Sequence, residues 1–339
     1  MTQAQGSVRR QRGVAMIVAL LMTATLSFLA LGISEAMRIS ARRTGFAIDR
    51  ADLQWRAVSA EAIARAALRQ LQATSGPDGE PQRLLLTSPL FLAPVDVPLP
   101  DGKASLQLSD ASRCFNLNSL PGIEGEGGPE KMAGEFVALA ASLGLQDGAA
   151  QRLAAVILDW IDVDDTVSIG GAEDDFYTAL PSPYRTGGGL LADVSEMRAM
   201  LGADRITYEG LRPFICALPD PGPVSLNVNM LRPRDLPLLA AIIEGATETR
   251  VNPAELGAVL DARPPEGWAN AGQFWADPTL AGFEVPEPVR QNRTDVASRF
   301  IKARAVIERG DARVVVNMMF RSEQGSGYSL VSRTLGEEN

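Results

Sequence analysis

The sequence predicts an α+β fold: a long amino-terminal helix plus an antiparallel sheet, interrupted by a large inserted all-α domain. Three observations predict it. An uncharged apolar run, Val14 to Ile33, passes without proline into a segment that stays helical in character to Gln72. Alternating, β-rich segments lie on both sides of the chain's middle: VDVPL with KASLQLS before it, and RFIKARAVIER, ARVVVNMMFRS and GYSLVSRTL after it. The middle itself repeats its apolar residues with the 3.6-residue period of helices.

Each element follows from its residues. Twenty helical residues from Val14 to Ile33 rise about 30 Å, the thickness of a bilayer's hydrocarbon core. That is longer than the apolar core of an ordinary signal peptide, and the run continues without proline into a helix-favouring segment. From Ser34 to Gln72 the helix turns amphipathic, with Phe46, Ile48, Leu53, Val58, Ile63, Leu68 and Leu71 expected on one side. A single helix over both parts would rise close to 90 Å. Arginines flank both ends of the apolar run (Arg9, Arg10 and Arg12; Arg38, Arg42 and Arg43), so charge leaves its orientation open. A turn-rich linker, Thr74 to Gln82, leads to a hairpin with Asp101-Gly102 at its turn. Residues 14–33 are thus the membrane half of the stem and 34–119 the first part of the α+β body. Residues 120–289 form the insertion, in two lobes at about 120–218 and 224–289. Related N-x-N stretches, FNLNSL (Phe115 to Leu120) and LNVNMLRP (Leu226 to Pro233), precede the lobes. Residues 290–339 close the body as a β-meander, with turns at Gly310-Asp311 and Gln324 to Gly327.

Composition excludes several functions. The net charge of −9 opposes a backbone-neutralising nucleic-acid surface, so no nucleic acid is expected as a partner. LNVNMLRPRDLPLLAAIIEG resembles a helix-hairpin-helix module, but the surrounding region is net acidic, which favours a structural use with Asn227 and Asn229 as caps or turn residues. Arg185 to Gly189 (RTGGG) lacks the phosphate-loop pattern. The chain has no histidine, which removes His-based triads, general bases and zinc sites. Two cysteines, Cys114 and Cys216, stand 102 positions apart; they are either one disulfide closing a long loop or two buried thiols.

The densest chemistry is acidic. DWIDVDDTVSIGGAEDD (Asp159 to Asp175) holds seven carboxylates, and no Lys or Arg occurs between Arg152 and Arg185. Such carboxylates repel one another unless water screens them or a cation intervenes. Counted from Asp162, Asp164 and Glu173 fall where an EF-hand places ligands, but Val167 stands where its glycine belongs. The loop therefore reads as a hard-cation site built on flexible Gly170-Gly171 rather than an EF-hand. Asp162, Asp164 and Glu173 are the leading ligands, followed by Asp165, Asp174 and Asp175, with Asp159 on the helix end as electrostatic support. Calcium suits this oxygen set better than magnesium or zinc. A solvated loop is the plainer alternative, and a membrane-anchored metal-dependent hydrolase using the same acids is the catalytic one.

The opening residues resemble a type IV pilin-like leader: a short basic stretch ending in Gly13, then an apolar run continuing into an amphipathic helix. That resemblance implies a leader of residues 1–13, cut after Gly13 by a prepilin peptidase, and an N-methylated Val14. Most such proteins carry Glu at the fifth mature position; here it is Val18. Lacking that Glu is typical of the minor pseudopilin K family of type II secretion. FNLNSL, DWIDVDDTVSIGGAEDDFY, PSPYR, LADVSEMRAM and LNVNMLRP resemble the same family's signatures, in its order. The resemblance implies a non-enzymatic, single-pass inner-membrane subunit with its body in the periplasm. It implies a place at the tip of the pseudopilus, pseudopilins I and J as partners with H as a further candidate, and calcium in the acidic loop.

Overall fold

The computed structural model describes residues 4–73, 85–100, 102–122, 128–309, 312–323 and 327–337. The linker expected at Thr74 to Gln82, Asp101 of the hairpin turn and the Gly310-Asp311 turn lie outside the described residues, as do residues 324–326 of the last turn. The chain divides into two compact units, Met1–Ser59 and Ala60–Asn339.

Helix α1 runs Ala4–Ala73, longer at its start than the expected Val14 to Gln72. In the first unit, Val14–Phe46 is long and apolar enough to cross a membrane, with a mean hydropathy of 2.4 and none of its most apolar stretch buried. Phe46, Ile48 and Val58, expected on a buried stripe, are exposed. In the second unit the buried positions are Ala60, Ala64 and Leu68, four residues apart. Small side chains at that spacing let a helix lie close against a sheet, which large apolar residues would hold off. The stripe that matters is therefore one of alanines.

The rest follows in chain order as α2 (Pro89–Leu92), β1 (Val95–Leu99), β2 (Gly102–Asp110), β3 (Phe115–Asn116), α3 (Gly128–Ser142), α4 (Asp147–Ile161), α5 (Asp174–Thr178), α6 (Arg205–Leu211) and β4 (Ile215–Cys216). Then come β5 (Leu226–Asn227), α7 (Leu236–Thr247), α8 (Gly257–Asp261), α9 (Ala271–Trp275), α10 (Glu287–Arg293), β6 (Thr294–Asp295), β7 (Phe300–Arg309), β8 (Ala312–Glu323) and β9 (Gly327–Leu335). Five strands form one antiparallel sheet in the order β1-β2-β7-β8-β9. The hairpin and the meander are thus halves of one sheet, joined where β2 pairs β7 with Leu106 opposite Ala305. Alternation sends Leu106, Leu108, Ala303, Ala305, Val316, Met318 and Phe320 to one buried face. The last turns of α1 lie on it: the Arg65 guanidinium stacks 5.6 Å from the Phe320 ring centre, and Glu61 pairs with Arg333 of β9.

Everything between β2 and β7 hangs on two short parallel pairs. β3 pairs β4, with Phe115 opposite Ile215, and β5 pairs β6, with Leu226 opposite Thr294. The N-x-N stretches build both. Asn116 accepts the Asn118 and Leu218 N–H groups, and Asn118 donates to the Leu191 and Leu218 carbonyls. Asn227 accepts the Asn229 N–H, and Asn229 holds the backbone of Trp268 from both sides. These amides are fully buried, so each satisfies a polar backbone that would otherwise be costly to desolvate. Cys114 and Cys216, beside the first pair, are joined in a disulfide with Cα atoms 5.7 Å apart. One apolar core fills the insertion, from Leu139 of α3 through Ile157 of α4 to Ile243 of α7 and Phe274 of α9. α3 and α7 cross closely because Gly245 has no side chain; a Cβ there would sit 3.1 Å from the Glu135 backbone. Glu135 and Arg293 form a buried ion pair across this core.

Candidate metal centre

α4 carries the site to its end. Leu153, Val156 and Trp160 mark its buried face, and Asp159, three residues after Val156, shares it. Asp162 caps the helix, and Glu173 begins α5, so ten loop residues bring the two ends of the acidic stretch together. One oxygen from each of Asp159, Asp162 and Glu173 lies within 4.8 Å of the others. Asp159 is fully buried, Glu173 is 4 % exposed, and Asp162 is half-buried.

The loop is folded around these acids. The Ser168 N–H donates to both oxygens of Asp159 at 3.2 Å. Gly170 takes a left-handed backbone with φ +85°, and a Cβ on Gly171 would fall 2.0 Å from an Asp159 oxygen. The two glycines are thus required, one for the turn and one for the close approach. On the other side an aromatic cluster braces the loop. Trp160 meets Tyr177 edge-on at 5.2 Å, and the Tyr184 hydroxyl donates to the Ala199 carbonyl at 2.7 Å.

Electrostatically the site is short of positive charge. Asp162 Oδ1 and Glu173 Oε1 are buried without a hydrogen-bond partner among the described residues. Desolvation, then the charges of Asp164 and Asp159, push the Asp162 carboxyl up to about 6. Desolvation, then Asp162 and Asp159, push Glu173 up to about 7. Buried carboxylates crowded in this way need a cation or protons. Hard oxygens with two unpartnered lone-pair sites fit a hard divalent cation.

The structure brings together only part of the set expected from spacing. Asp162 and Glu173 converge, but their third partner is Asp159 rather than Asp164. Asp164 is exposed and turns back to accept the Thr166 N–H at 2.7 Å. Asp165 and Asp175 are exposed. Asp174 accepts from the Thr186 N–H and hydroxyl at 2.8 and 2.9 Å and pairs with Arg185 at 3.0 Å. Those bonds hold its carboxyl below the usual carboxylate range. It fastens the segment after α5 instead of facing the trio. The sequence signal for Asp159 was its place on the apolar face of α4.

One long helix on an antiparallel sheet defines the pseudopilin class; the insertion between two of its strands, expected to be all-α, is mainly helical but also holds the β3–β4 and β5–β6 pairs. Two family models described as type II secretion system protein K match residues 113–220 and 226–296. The first ends just past β4 and the second begins at β5 and ends just past β6. The type II secretion system protein K of Pectobacterium carotovorum subsp. carotovorum is 36% identical over 77% of this chain and 78% of its own length. That of Klebsiella pneumoniae is 32% identical over 96% of this chain and 97% of its own. A chain in the crystal structure of the GspK-GspI-GspJ complex from the enterotoxigenic Escherichia coli type 2 secretion system superposes with a TM-score of 0.72 at 28% identity. The match covers 87% of this chain and 100% of that one. The chain belongs to the type II secretion system protein K family.

Proposed function

We propose that this chain is the minor pseudopilin at the tip of a type II secretion pseudopilus, where it joins pseudopilins I and J and helps start the filament. The observation that carries the reading is the match along the full length of the K-type chain in a K–I–J complex. H is a further candidate neighbour. Before assembly the stem sits in the inner membrane with the body in the periplasm. A prepilin peptidase removes residues 1–13 after Gly13, and Val14 becomes the methylated terminus. The role is structural, and the hydrolase alternative draws no support from relatives that are secretion-system K proteins.

In this reading calcium is held by Asp159, Asp162 and Glu173, with further oxygens from the loop backbone or water. Bound there, it supplies positive charge that lets three crowded carboxylates stay ionised. The carboxylates in turn tie the end of α4 to the start of α5.

Co-expression with the I and J pseudopilins of the same system, followed by size exclusion, tests the assignment. A stable complex containing one copy of each is expected. An I–J pair that excludes this chain would overturn the reading, as would antibody labelling of it at regular intervals along a filament.

A further inference from the structure

A second charged site lies where the insertion meets the sheet. A cleft of about 260 Å³ is lined by Arg113, Arg232, Arg234, Lys302 and Arg304. Lys302 and Arg304 are two apart on β7 and share the face opposite buried Ala303 and Ala305. Arg113 comes from the turn after β2, and Arg232 and Arg234 from the turn before α7. Five cations converging on an otherwise acidic chain are a specific arrangement rather than a sample of its surface.

Asp235 and Glu337 hold part of this charge. Asp235 pairs with Arg113 at 2.8 Å and approaches Arg234 at 3.6 Å. Glu337 pairs with Arg304 and Arg313, and Asp193 is near enough to Lys302 to feel its charge. Burial first, then the charges of Arg113 and Arg234, lower the pKa of Arg232. Arg113 is nine-tenths buried, yet its Nε has no hydrogen-bond partner among the described residues. A buried guanidinium donor without an acceptor is costly and rare.

We propose that this cleft docks an acidic polypeptide segment, whose carboxylates accept hydrogen bonds from Arg113, Arg232, Arg234 and Lys302. A segment fits better than a lone anion because the cations arrive from three separate elements along a floor that includes Gln107, Ser109 and Asn317. Glu337, carried past the end of β9, already delivers one carboxylate to Arg304 at the cleft's edge in this way. Forked guanidinium donors match carboxylates well, and arginine clusters are a common reader of acidic motifs.

The test is fluorescence anisotropy of the full chain in a neutral maltoside detergent. The probe is a labelled peptide of alternating Asp and Glu, against its Asn/Gln counterpart and against inorganic phosphate as competitor. The acidic peptide is expected to bind at low salt, weakening several-fold as ionic strength passes about 0.15 M. Arg232→Gln/Arg234→Gln/Lys302→Gln should lose at least about tenfold in affinity. Glu337→Gln, which removes an internal competitor, should bind about two- to threefold more tightly. Arg234 and Lys302 are exposed, so the double variant at those positions serves if the triple variant fails to fold. Equal binding of the Asn/Gln peptide, unchanged binding by a folded variant, or saturation by phosphate with no peptide bound would each overturn the proposal.

Discussion

Asp159 shows how a single residue's role depends on which way its helix faces. The loop spacing favours Asp164, which sits two residues from Asp162. Asp164, however, is exposed and turned back onto the Thr166 N–H, while Asp159, three residues back at the end of α4, brings its carboxylate beside that of Asp162. The acidic cluster was therefore legible as a place, but its third carboxylate depended on tertiary burial. The expected consequence is selective. Asp159→Asn and Glu173→Gln should abolish a calcium-dependent rise in melting temperature of about 5–10 °C, the rise expected at a hundredfold excess over Kd. Asp164→Asn and Asp165→Asn should keep it. Differential scanning fluorimetry in calcium and in EDTA reads the difference, and equal loss in all four variants would assign the effect to the loop's general charge. A second buried acid, Asp110, makes a pH prediction away from this site. Desolvation raises its carboxyl from 3.8 to about 6, against a lowering by the Ser112 N–H that donates to it at 2.8 Å. A raised acid binds its proton more tightly folded than unfolded. Its stabilising contribution is full below pH 4 and is lost as pH rises through 6. Over that window the loss amounts to about 2–3 kcal/mol. Asp110→Asn keeps the acceptor for Ser112 and should flatten the stability profile between pH 4 and 6 in urea titrations.

Among elements, the sheet and helices were readable because period two and period 3.6 are properties of the chain itself. The alanine stripe of α1 was not, since alanine carries too little hydrophobic signal to outvote Phe46, Ile48 and Val58, which are exposed. The two N-x-N stretches were visible as a weak repeat, but their work lies in bonds to residues some 40 to 100 positions away, from Asn229 to Trp268 and from Asn118 to Leu218. The cysteines had the same limitation: no spacing rule gives the 5.7 Å Cα separation that the β3–β4 pairing creates. That pairing makes the disulfide a staple on the first helical lobe. Linking two points 102 residues apart constrains the unfolded chain strongly. Cys114→Ser/Cys216→Ser should lose about 2–5 kcal/mol in denaturant unfolding. Reductant should bring the wild type to the same value and leave the variant unchanged. A variant as stable as the oxidised protein would mean that the Asn-centred hydrogen bonds hold the pair without it.

At the scale of the whole molecule, the stem and the body ask different things of the same helix. Val14–Phe46 is apolar enough for a bilayer, and the carboxylates and guanidinium groups near its end begin only at Glu35 and Arg38. Ahead of it stand Arg9, Arg10 and Arg12, which the proposed topology leaves on the cytoplasmic side. A leader left attached would keep those charges there and resist withdrawal of the stem into a filament. Removal after Gly13, as proposed, would leave one terminal amine at Val14, and methylation would not remove its charge. Val18 offers that amine no carboxylate, and none is needed if no further subunit stands ahead of this one, since an unpaired acid in hydrocarbon costs about 2.5–3.5 kcal/mol on insertion scales. Intact-mass measurement of the chain purified from membranes should therefore find it shorter by residues 1–13 and heavier by one methyl group. Arg9, Arg10 and Arg12 should be absent from every peptide recovered. A mature membrane-bound protein that still begins at Met1 would separate this chain from the filament-forming route, however well its body folds.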